Sequence, residues 1–454
     1  MSDITAKKAK ASPTKEFFVN MITRDITLED SILDLIDNSI DAAWQMAGSH
    51  AMTLGDDTDL SAFKITLTLS EDQFTISDNC GGMTLDNAVD HAFSFGRKAS
   101  QEREEFSIGV YGIGMKRAVF KLGKNVRVRS QFRGDNGSPL SFAVPINVTD
   151  WLADERPSWD FDIVEDDVRS EYGVVIIVNE LTWPAKTAFG NPAFVENLRR
   201  MIARDYSLHL GRGLKIEVGD EQIIGANLEL AMSEDFSPMR ISYEDKQDGE
   251  SVSIEMLGGM AAPPPDSVEP DDRFDGDKRF GWYVACNGRI VMAADKSSIA
   301  GWGTKDWPQW HRQYAGFIGI VLFSASNTAA LPLTTTKRSV DQSSDVYRSA
   351  QLKMRDLSKV WIAYTNQRKQ ALEEAKRKEA AARAVPISLV EVKPAIALPS
   401  LNVQRVERPA NVHYSVPVQR MKRLARALGN INLTYREVGV RSFEYTYDDF
   451  VGDE

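Results

Sequence analysis

Cysteine is almost missing from this 454-residue chain: Cys80 and Cys286 are the only two. Two thiols so far apart cannot staple a chain of this length, and neither has a neighbour at zinc-ligand spacing, so a disulfide framework and a structural zinc site are both excluded. Long apolar runs are missing too. The strongest, GFIGIVLFSA and GVVIIVN, fall well short of the roughly 20 residues that a membrane-crossing helix needs, and they read as buried strands. The opening MSDITAKKAKASPTKEFF lacks the apolar core of a signal peptide, so a reducing, cytoplasmic setting is expected. Nor is positive charge in excess. The 54 Lys and Arg stand against 65 Asp and Glu, a formal net charge of −11. That argues against a surface that coats nucleic acid throughout, but it leaves room for a local basic groove. There is no GxxxxGK followed by Ser or Thr, and no glycine fingerprint in a tight βαβ frame, so any triphosphate site is neither a P-loop nor a dinucleotide fold. No internal repeat is visible.

The length implies two or three domains. Residues 1–16 read as a loose tail. From Leu28 to Trp44, LEDSILDLIDNSIDAAW repeats its apolar positions at helical spacing. FKITLTLSEDQFTISDNCGG alternates like two strands around a polar turn, and Gly81-Gly82 break the second. NVRVRSQF, PLSFAVPINV and GVVIIVNEL are further strands, AFVENLRRMIARDYSLHL is a helix, and LKIEVGDEQI a hairpin. The proline-rich AAPPPDSVEPDD marks an insertion or linker over residues 241–275. A second domain follows over 276–345, then one long helix over 346–384 and a C-terminal region, 385–454, whose aromatic end reads as strand-rich.

Four separated pieces assemble into one candidate site. Asp34 and Asn38 lie four apart, on one helical face, with Asp41 nearby. A carboxylate that positions water beside an amide oxygen that ligates Mg²⁺ suits hydrolysis of a metal-bound phosphate. A solvated acidic face is the plain alternative. Asp78 ends a strand before Asn79, Cys80, Gly81, Gly82 and Met83; a carboxylate there can accept from the exocyclic amine of adenine, though a ligand-free turn reads the same way. Gly109, Gly112 and Gly114 lead into a helix beside Lys116, which frees backbone N–H groups to face phosphate oxygens. Lys337, in TTTKRSV after an apolar strand, can reach a terminal phosphate as a point charge, and taken alone it is a surface lysine.

In this order the pieces resemble the GHKL superfamily of gyrase-type topoisomerases, ninety-kilodalton heat-shock chaperones, histidine kinases and MutL-type repair proteins. The resemblance is strongest to the microrchidia branch and its bacterial relatives. LDLIDNSIDAA looks like the first motif, DNCGGMT like the DxGxG motif, SFGRKAS with SIGVYGIGMK like the lid and second glycine motif, and LPLTTTKRSV like the transducer segment. The resemblance implies an α/β fold: a two-layer α/β sandwich (the Bergerat type) over residues 17–240, then a transducer-like α/β domain with a left-handed β-α-β unit. It places Asp34 at the general base, Asn38 at the Mg²⁺ ligand, Asp41 at an acid beside the site and Asp78 at the adenine-reading acid. Gly82 packs behind the base, with Met83 and Thr84 following. Gly109, Val110, Tyr111, Gly112, Ile113, Gly114, Met115 and Lys116 form the hinge and phosphate cradle. Arg97 to Phe106, including Lys98, form the ATP lid, and Lys337 is the transducer lysine.

Three positions depart from the pattern. Asp34 is one methylene shorter than the usual Glu, and a displacement of about an ångström can cost roughly 10²-fold in rate. Cys80 replaces a glycine, so Gly81 is expected to take the flexible role. Val174 stands where many relatives have Thr, so one adenine-side hydrogen bond is either missing or supplied by water or by Thr84. The implied function is Mg²⁺-dependent ATP binding and slow hydrolysis that close a lid and pair two copies, acting on DNA or a protein partner in a bacterial defence or DNA-processing system. A non-hydrolysing ATP-sensing scaffold is the alternative. A histidine kinase is disfavoured, because no phospho-acceptor helix is evident and His50 and His91 fall inside the nucleotide domain.

Overall fold

The computed structural model describes residues 13–48, 50–55, 57–95, 105–109, 112–154, 159–266, 279–402 and 411–452. The chain divides into two compact units, residues 1–403 and 404–454.

The first unit opens with α1 (Lys15–Arg24) and α2 (Leu28–Met46). Eight strands then build one sheet: β1 (Lys64–Leu69), β2 (Gln73–Asp78), β3 (Gly123–Arg133), β4 (Pro139–Asn147), β5 (Val164–Glu165), β6 (Gly173–Leu181), β7 (Lys215–Val218) and β8 (Glu221–Gln222). Their order is β5-β4-β3-β6-β2-β1-β7-β8, and every pair is antiparallel except β1 with β7. Side chains alternate across a strand, so register decides which residues share a face. Val144, Val128, Ile176, Ile76, Leu67 and Val218 pair in one row across six strands, and all six are buried. Helices cover that face: α2, α4 (Gly114–Leu122) and α7 (Pro192–Asp205) supply Ile32, Ile36, Ile40, Ala118, Leu122, Leu198 and Ile202 to the same core. Shorter helices are α3 (Leu85–Asn87), which runs into a π turn, α5 (Val148–Ala153), α6 (Trp183–Phe189) and α8 (Ser207–Leu210).

A second sheet follows within the same unit. A two-stranded ribbon pairs β9 (Glu229–Met232) with β15 (Arg383–Pro386). The main sheet holds β10 (Met239–Gln247), β11 (Glu250–Met260), β12 (Gly281–Cys286), β13 (Arg289–Asp295) and β14 (Phe317–Ser324), in the order β10-β11-β14-β12-β13. The stretch expected as linker, 241–275, thus begins with most of a β-hairpin; Ser251 to Ile254 alternate in burial as a strand does, the residues after them are buried on both faces, and the prolines come only after the strand. Strands β12 and β14 are buried at every position. Phe317, Val321 and Phe323 face a core with Leu357 and Trp361, while Ile318, Ile320 and Leu322 face another with Met52, Leu54 and Leu208. A strand covered on both faces has no polar side, which is why GFIGIVLFS reads as an unbroken apolar run.

The expected helix over 346–384 is two helices, α9 (Asp345–Arg368) and α10 (Leu372–Ala380). The chain folds back because Arg368 grips both oxygens of Glu379, at 2.6 and 2.9 Å, with the Tyr364 hydroxyl donating at 2.6 Å. The second unit corrects the expectation of strands: it holds α11 (Val418–Ala427) and α12 (Tyr435–Phe450). A capping box between Thr434 and Glu437 starts α12, and Phe443 stacks on Tyr447 one turn later. Among the described residues no helix is long and apolar enough to cross a membrane.

The covered and open faces of the first sheet make a direct stability test. Leu67→Ala, in the buried row, is expected to cost about 2–5 kcal/mol in urea unfolding. Thr68→Ala, its exposed neighbour on β1, is expected to cost less than about 1 kcal/mol. Equal losses would refute the two-layer arrangement.

Candidate functional site

Helix α2 starts at a capping box between Thr27 and Asp30. Its apolar positions bury one side, and its acids collect on the other. The end of β2 at Asp78, α2 and the N-terminus of α4 then border a cavity of about 340 Å³, within the usual range for small-molecule sites. Asp34, Asn38, Asp41, Asp78, Gly82, Met83, Gly109, Gly112, Ile113, Gly114, Met115, Lys116 and Lys337 line it. Thr84 does not. Its hydroxyl accepts from the Asn87 N–H at 3.2 Å and caps α3, which corrects the expectation that it faces a base. Lys98, Val110, Tyr111 and most of the expected lid, Arg97 to Phe106, lie outside the described residues.

One end of the cavity is built around Asp78. Its Oδ1 accepts from the Cys80 N–H at 2.9 Å and the Val174 N–H at 3.2 Å, and its Oδ2 accepts from the Ser39 hydroxyl at 2.8 Å. Burial pushes its pKa above the ordinary value, against these donors and the charge of Arg169. Left-handed backbone falls on Gly81 and Gly82, at φ +88° and +77°, so Cys80 is accommodated without strain. A Cβ on Gly82 would sit 2.0 Å from the Gln131 carbonyl oxygen, so only glycine lets β3 approach this turn. Val174 contributes through its backbone, which a threonine there would also do.

The middle is the glycine loop. Asp41 holds it from α2, accepting from the N–H of Ile108 at 2.7 Å and of Gly109 at 3.1 Å. Lys116 donates to the carbonyls of Ala92, at 2.7 Å, and Gly112, so its ammonium braces the loop from inside. The N-terminal end of α4 borders the cavity through Ile113, Gly114 and Met115, so the positive end of its dipole lies against it.

The far end is a buried ion network. Arg117, on α4, places both Nε and Nη2 at 2.6 Å from Asp34 Oδ2. Lys337, from the loop after β14, donates to Asp34 Oδ1 at 3.3 Å and to Asp37 Oδ2 at 2.7 Å. Arg289 on β13 donates to the same Asp37 oxygen, and the Tyr206 hydroxyl to the other at 2.7 Å. Arg338, adjacent to Lys337, turns away to Asp30 and Asp205 and does not line the cavity. Burial opposes charge on Asp37, but Arg289, Lys337 and the hydrogen bonds of Lys337 and Tyr206 hold its pKa below the ordinary value. Burial likewise opposes charge on Lys337, yet Asp37 and Asp34 keep its pKa above the ordinary lysine value. Asp37 and Lys337 are therefore both charged throughout the neutral range.

Sequence reasoning missed Arg117, Ser39 and Arg289. Arg117 lies three residues after Gly114, one turn along α4, and that spacing could have found it. Arg289 carries no local signal, since only the packing of β13 against α7 and α8 brings it to Asp37.

Residues 26–169 match the model of a family described as histidine kinase-, DNA gyrase B-, and HSP90-like ATPase. The match supports the GHKL superfamily for the part of the chain that runs from α2 through the glycine loop to β5, and Lys337 lies beyond it. A comparison with curated proteins finds no match to this chain.

The network gives acid stability a direction. Asp37 has a depressed folded pKa, so its contribution is present above the ordinary carboxylate value and is lost as pH falls through the depressed one. Asp78, with a raised pKa, acts in the opposite sense. Urea unfolding from pH 6 downward is expected to lose stability below about pH 4, with a shallower acid limb in Asp37→Asn. An unchanged limb in that variant would show that Asp37 is not ion-paired in solution.

Proposed function

We propose that this chain binds ATP with Mg²⁺ in the cavity and hydrolyses it slowly to ADP and phosphate. The observation that carries the reading is one cavity with a buried hydrogen-bonded carboxylate at one end, a glycine loop in its middle, and at the far end a carboxylate paired with a lysine from the loop after β14. The family match over residues 26–169 supports it.

In this reading Asp78 accepts from the adenine amine, and Gly82 leaves room for the ring. The phosphates lie against Gly109, Gly112 and Gly114 and the start of α4. Among the described residues no cluster of three or more His, Cys, Asp or Glu could hold a metal by itself. That suits Mg²⁺, which keeps several waters and is held by few protein oxygens together with substrate phosphates; in this reading Asn38, exposed on the cavity wall, would hold it. Arg117 orients Asp34 by its Oδ2 and leaves Oδ1 toward Lys337 and the cavity. When the ammonium of Lys337 turns to the terminal phosphate, Oδ1 becomes free to accept a proton from water. Water attacks the γ-phosphorus, the bond to the ADP oxygen breaks, and Lys337 stabilises the charge that spreads over the phosphoryl oxygens.

The paired state of Asp34 also favours a second reading, an ATP-sensing scaffold that binds without turnover, because both of its oxygens are engaged by cations. Steady-state turnover by wild type, set against Asn38→Ala, separates the two. Lid closure over Arg97 to Phe106, nucleotide-dependent pairing of two copies, and action on DNA or a protein partner belong to the same proposal and rest on the resemblance of the motifs to microrchidia-like proteins. The basic strand β3 gives little support to a DNA groove, since Arg127 and Arg129 are engaged by Asp166 at 3.0 and 2.5 Å.

Two variants test the two ends. Asp78→Asn is expected to abolish binding of a non-hydrolysable ATP analogue in calorimetry, because the amide replaces an acceptor oxygen with a donor; affinity kept within about threefold would remove Asp78 from the site. Lys337→Ala is expected to cut turnover by about 10- to 1,000-fold with ADP affinity unchanged, whereas Arg338→Ala has a much smaller effect on turnover. Near-normal turnover without Lys337 would sink its role.

A further inference from the structure

Asp37 stands between Asp34 and Asn38 in sequence, yet unlike them it does not line the cavity. It is fully buried behind the wall. Its two oxygens take three donors: Tyr206 on Oδ1, and Lys337 and Arg289 together on Oδ2. A buried carboxylate so completely satisfied is a fixed point, held ionised by two cations and held in place by a hydroxyl.

Lys337 is suspended between this fixed point and the cavity wall. Its contact to Asp37, 2.7 Å, is shorter than its contact to Asp34, 3.3 Å. An ammonium has three donors, so two carboxylates leave the third unassigned, and Lys337 itself lines the cavity. Its backbone lies in the left-handed region, at φ +55°, in a turn closed by its N–H on the Thr334 carbonyl at 2.9 Å. A non-glycine residue is held there only when its surroundings dictate it, and here the side chain is drawn inward by Asp37.

We propose that Asp37, clamped by Arg289, is the positioning residue for Lys337: a terminal phosphate takes the ammonium from Asp34 while Asp37 keeps its hold. The inference rests on the nucleotide reading above. Asp34 and Asp37 then have separate duties. Asp34 is the partner that the phosphate displaces, and Asp37 is the anchor that keeps the lysine within reach in both states. Arg289 completes the anchor, because without its charge Asp37 Oδ2 would be left to Lys337 alone and would draw it off the wall. Removing the charge of Asp37 leaves Arg289 and Lys337 as neighbours without the carboxylate oxygen they share, and their repulsion moves the ammonium away from the phosphate site.

Calorimetry with ADP and a non-hydrolysable ATP analogue tests this without relying on turnover. Wild type is expected to prefer the analogue. Asp37→Asn is expected to lower that preference about tenfold, toward that of Lys337→Ala, with ADP affinity unchanged. In the Asp37→Asn/Lys337→Ala double variant the preference is expected to fall no further than in Lys337→Ala alone, because one residue acts through the other. Since Asp37→Asn strands a buried guanidinium, Asp37→Asn/Arg289→Gln removes both charges and serves as the second variant, with the same loss expected. A preference kept within twofold in that variant, or losses that multiply in the double variant with Lys337, would overturn the inference alone. A wild type that binds neither nucleotide would overturn the nucleotide reading, and this inference with it.

Discussion

Three acids on one face of a single helix meet three cations that arrive from 252 to 308 residues further along the chain: Asp37 meets Arg289, Asp34 and Asp37 share Lys337, and Asp30 meets Arg338. Asp30, Asp34 and Asp37 follow one another at spacings of four and three, so α2 presents them as a stripe. The rest of the molecule depends on this seam. It fastens the second sheet to the first layer, and it forms the far wall of the cavity. Charges so deeply buried are tolerated only when each has its partner, because removing them from water costs several kcal/mol per ion and Coulomb attraction in the interior offsets that only with good geometry. Arg289 and Asp37 are each about fully buried, at 1 and 0 % side-chain exposure, and both have it.

The two ends of the cavity are therefore built on different physics. Around Asp78 the partners are neutral: two backbone N–H groups and a hydroxyl, in a desolvated pocket that raises the carboxyl's pKa. Such an end discriminates by hydrogen-bond geometry and is indifferent to what happens in the second sheet. Around Asp34 the partners are full charges, one from α4 and one from the loop after β14. That end cannot change its occupancy without changing how the two layers are held. The glycine loop between them is tied to both sides: Asp41 holds it from α2, and the Ser107 carbonyl, just before it, accepts from Asn287 at 2.8 Å and from Thr328 at 2.8 Å in the second layer. A ligand long enough to span the cavity would join a recognition event at one end to a mechanical one at the other.

The elements with strong local signals were legible in the sequence. α2 was, because its apolar period and its acids occupy opposite sides; so were β1 and β2, because a half-buried pair alternates. The cavity-lining acids were legible for the same reason, as they project from those elements. What escaped had no local cause. β10 and β11 were hidden by the proline-rich segment that follows them, whose composition dominated the reading of the whole stretch. The break after Arg368 depends on Glu379, and a salt bridge that closes a helical hairpin leaves no mark on helical periodicity. The C-terminal helices were obscured by aromatic residues that favour strands in isolation, although the Thr434–Glu437 capping box was there to be read. Asp37 was visible as an acid on the right helix, but its burial against Arg289 is a property of docking, which no window of sequence contains.

The stripe on α2 also bears on which changes in length the chain can tolerate. A helix turns by about 100° per residue, so a single residue inserted between Asp30 and Asn38 would swing the later acids out of register with cations fixed on β13 and on the loop after β14. No point substitution could restore all the pairs at once. The turn between β1 and β2 is closed by local bonds between Ser70 and Gln73, and its outside contacts, Gln73 to Asn179 at 2.9 Å and Lys186 to Asp72 at 3.7 Å, are exposed and tie it to nothing in the second layer. Insertions and deletions among descendants of this sequence should accumulate in turns of that kind, while α2 keeps its residue count even where its individual side chains drift.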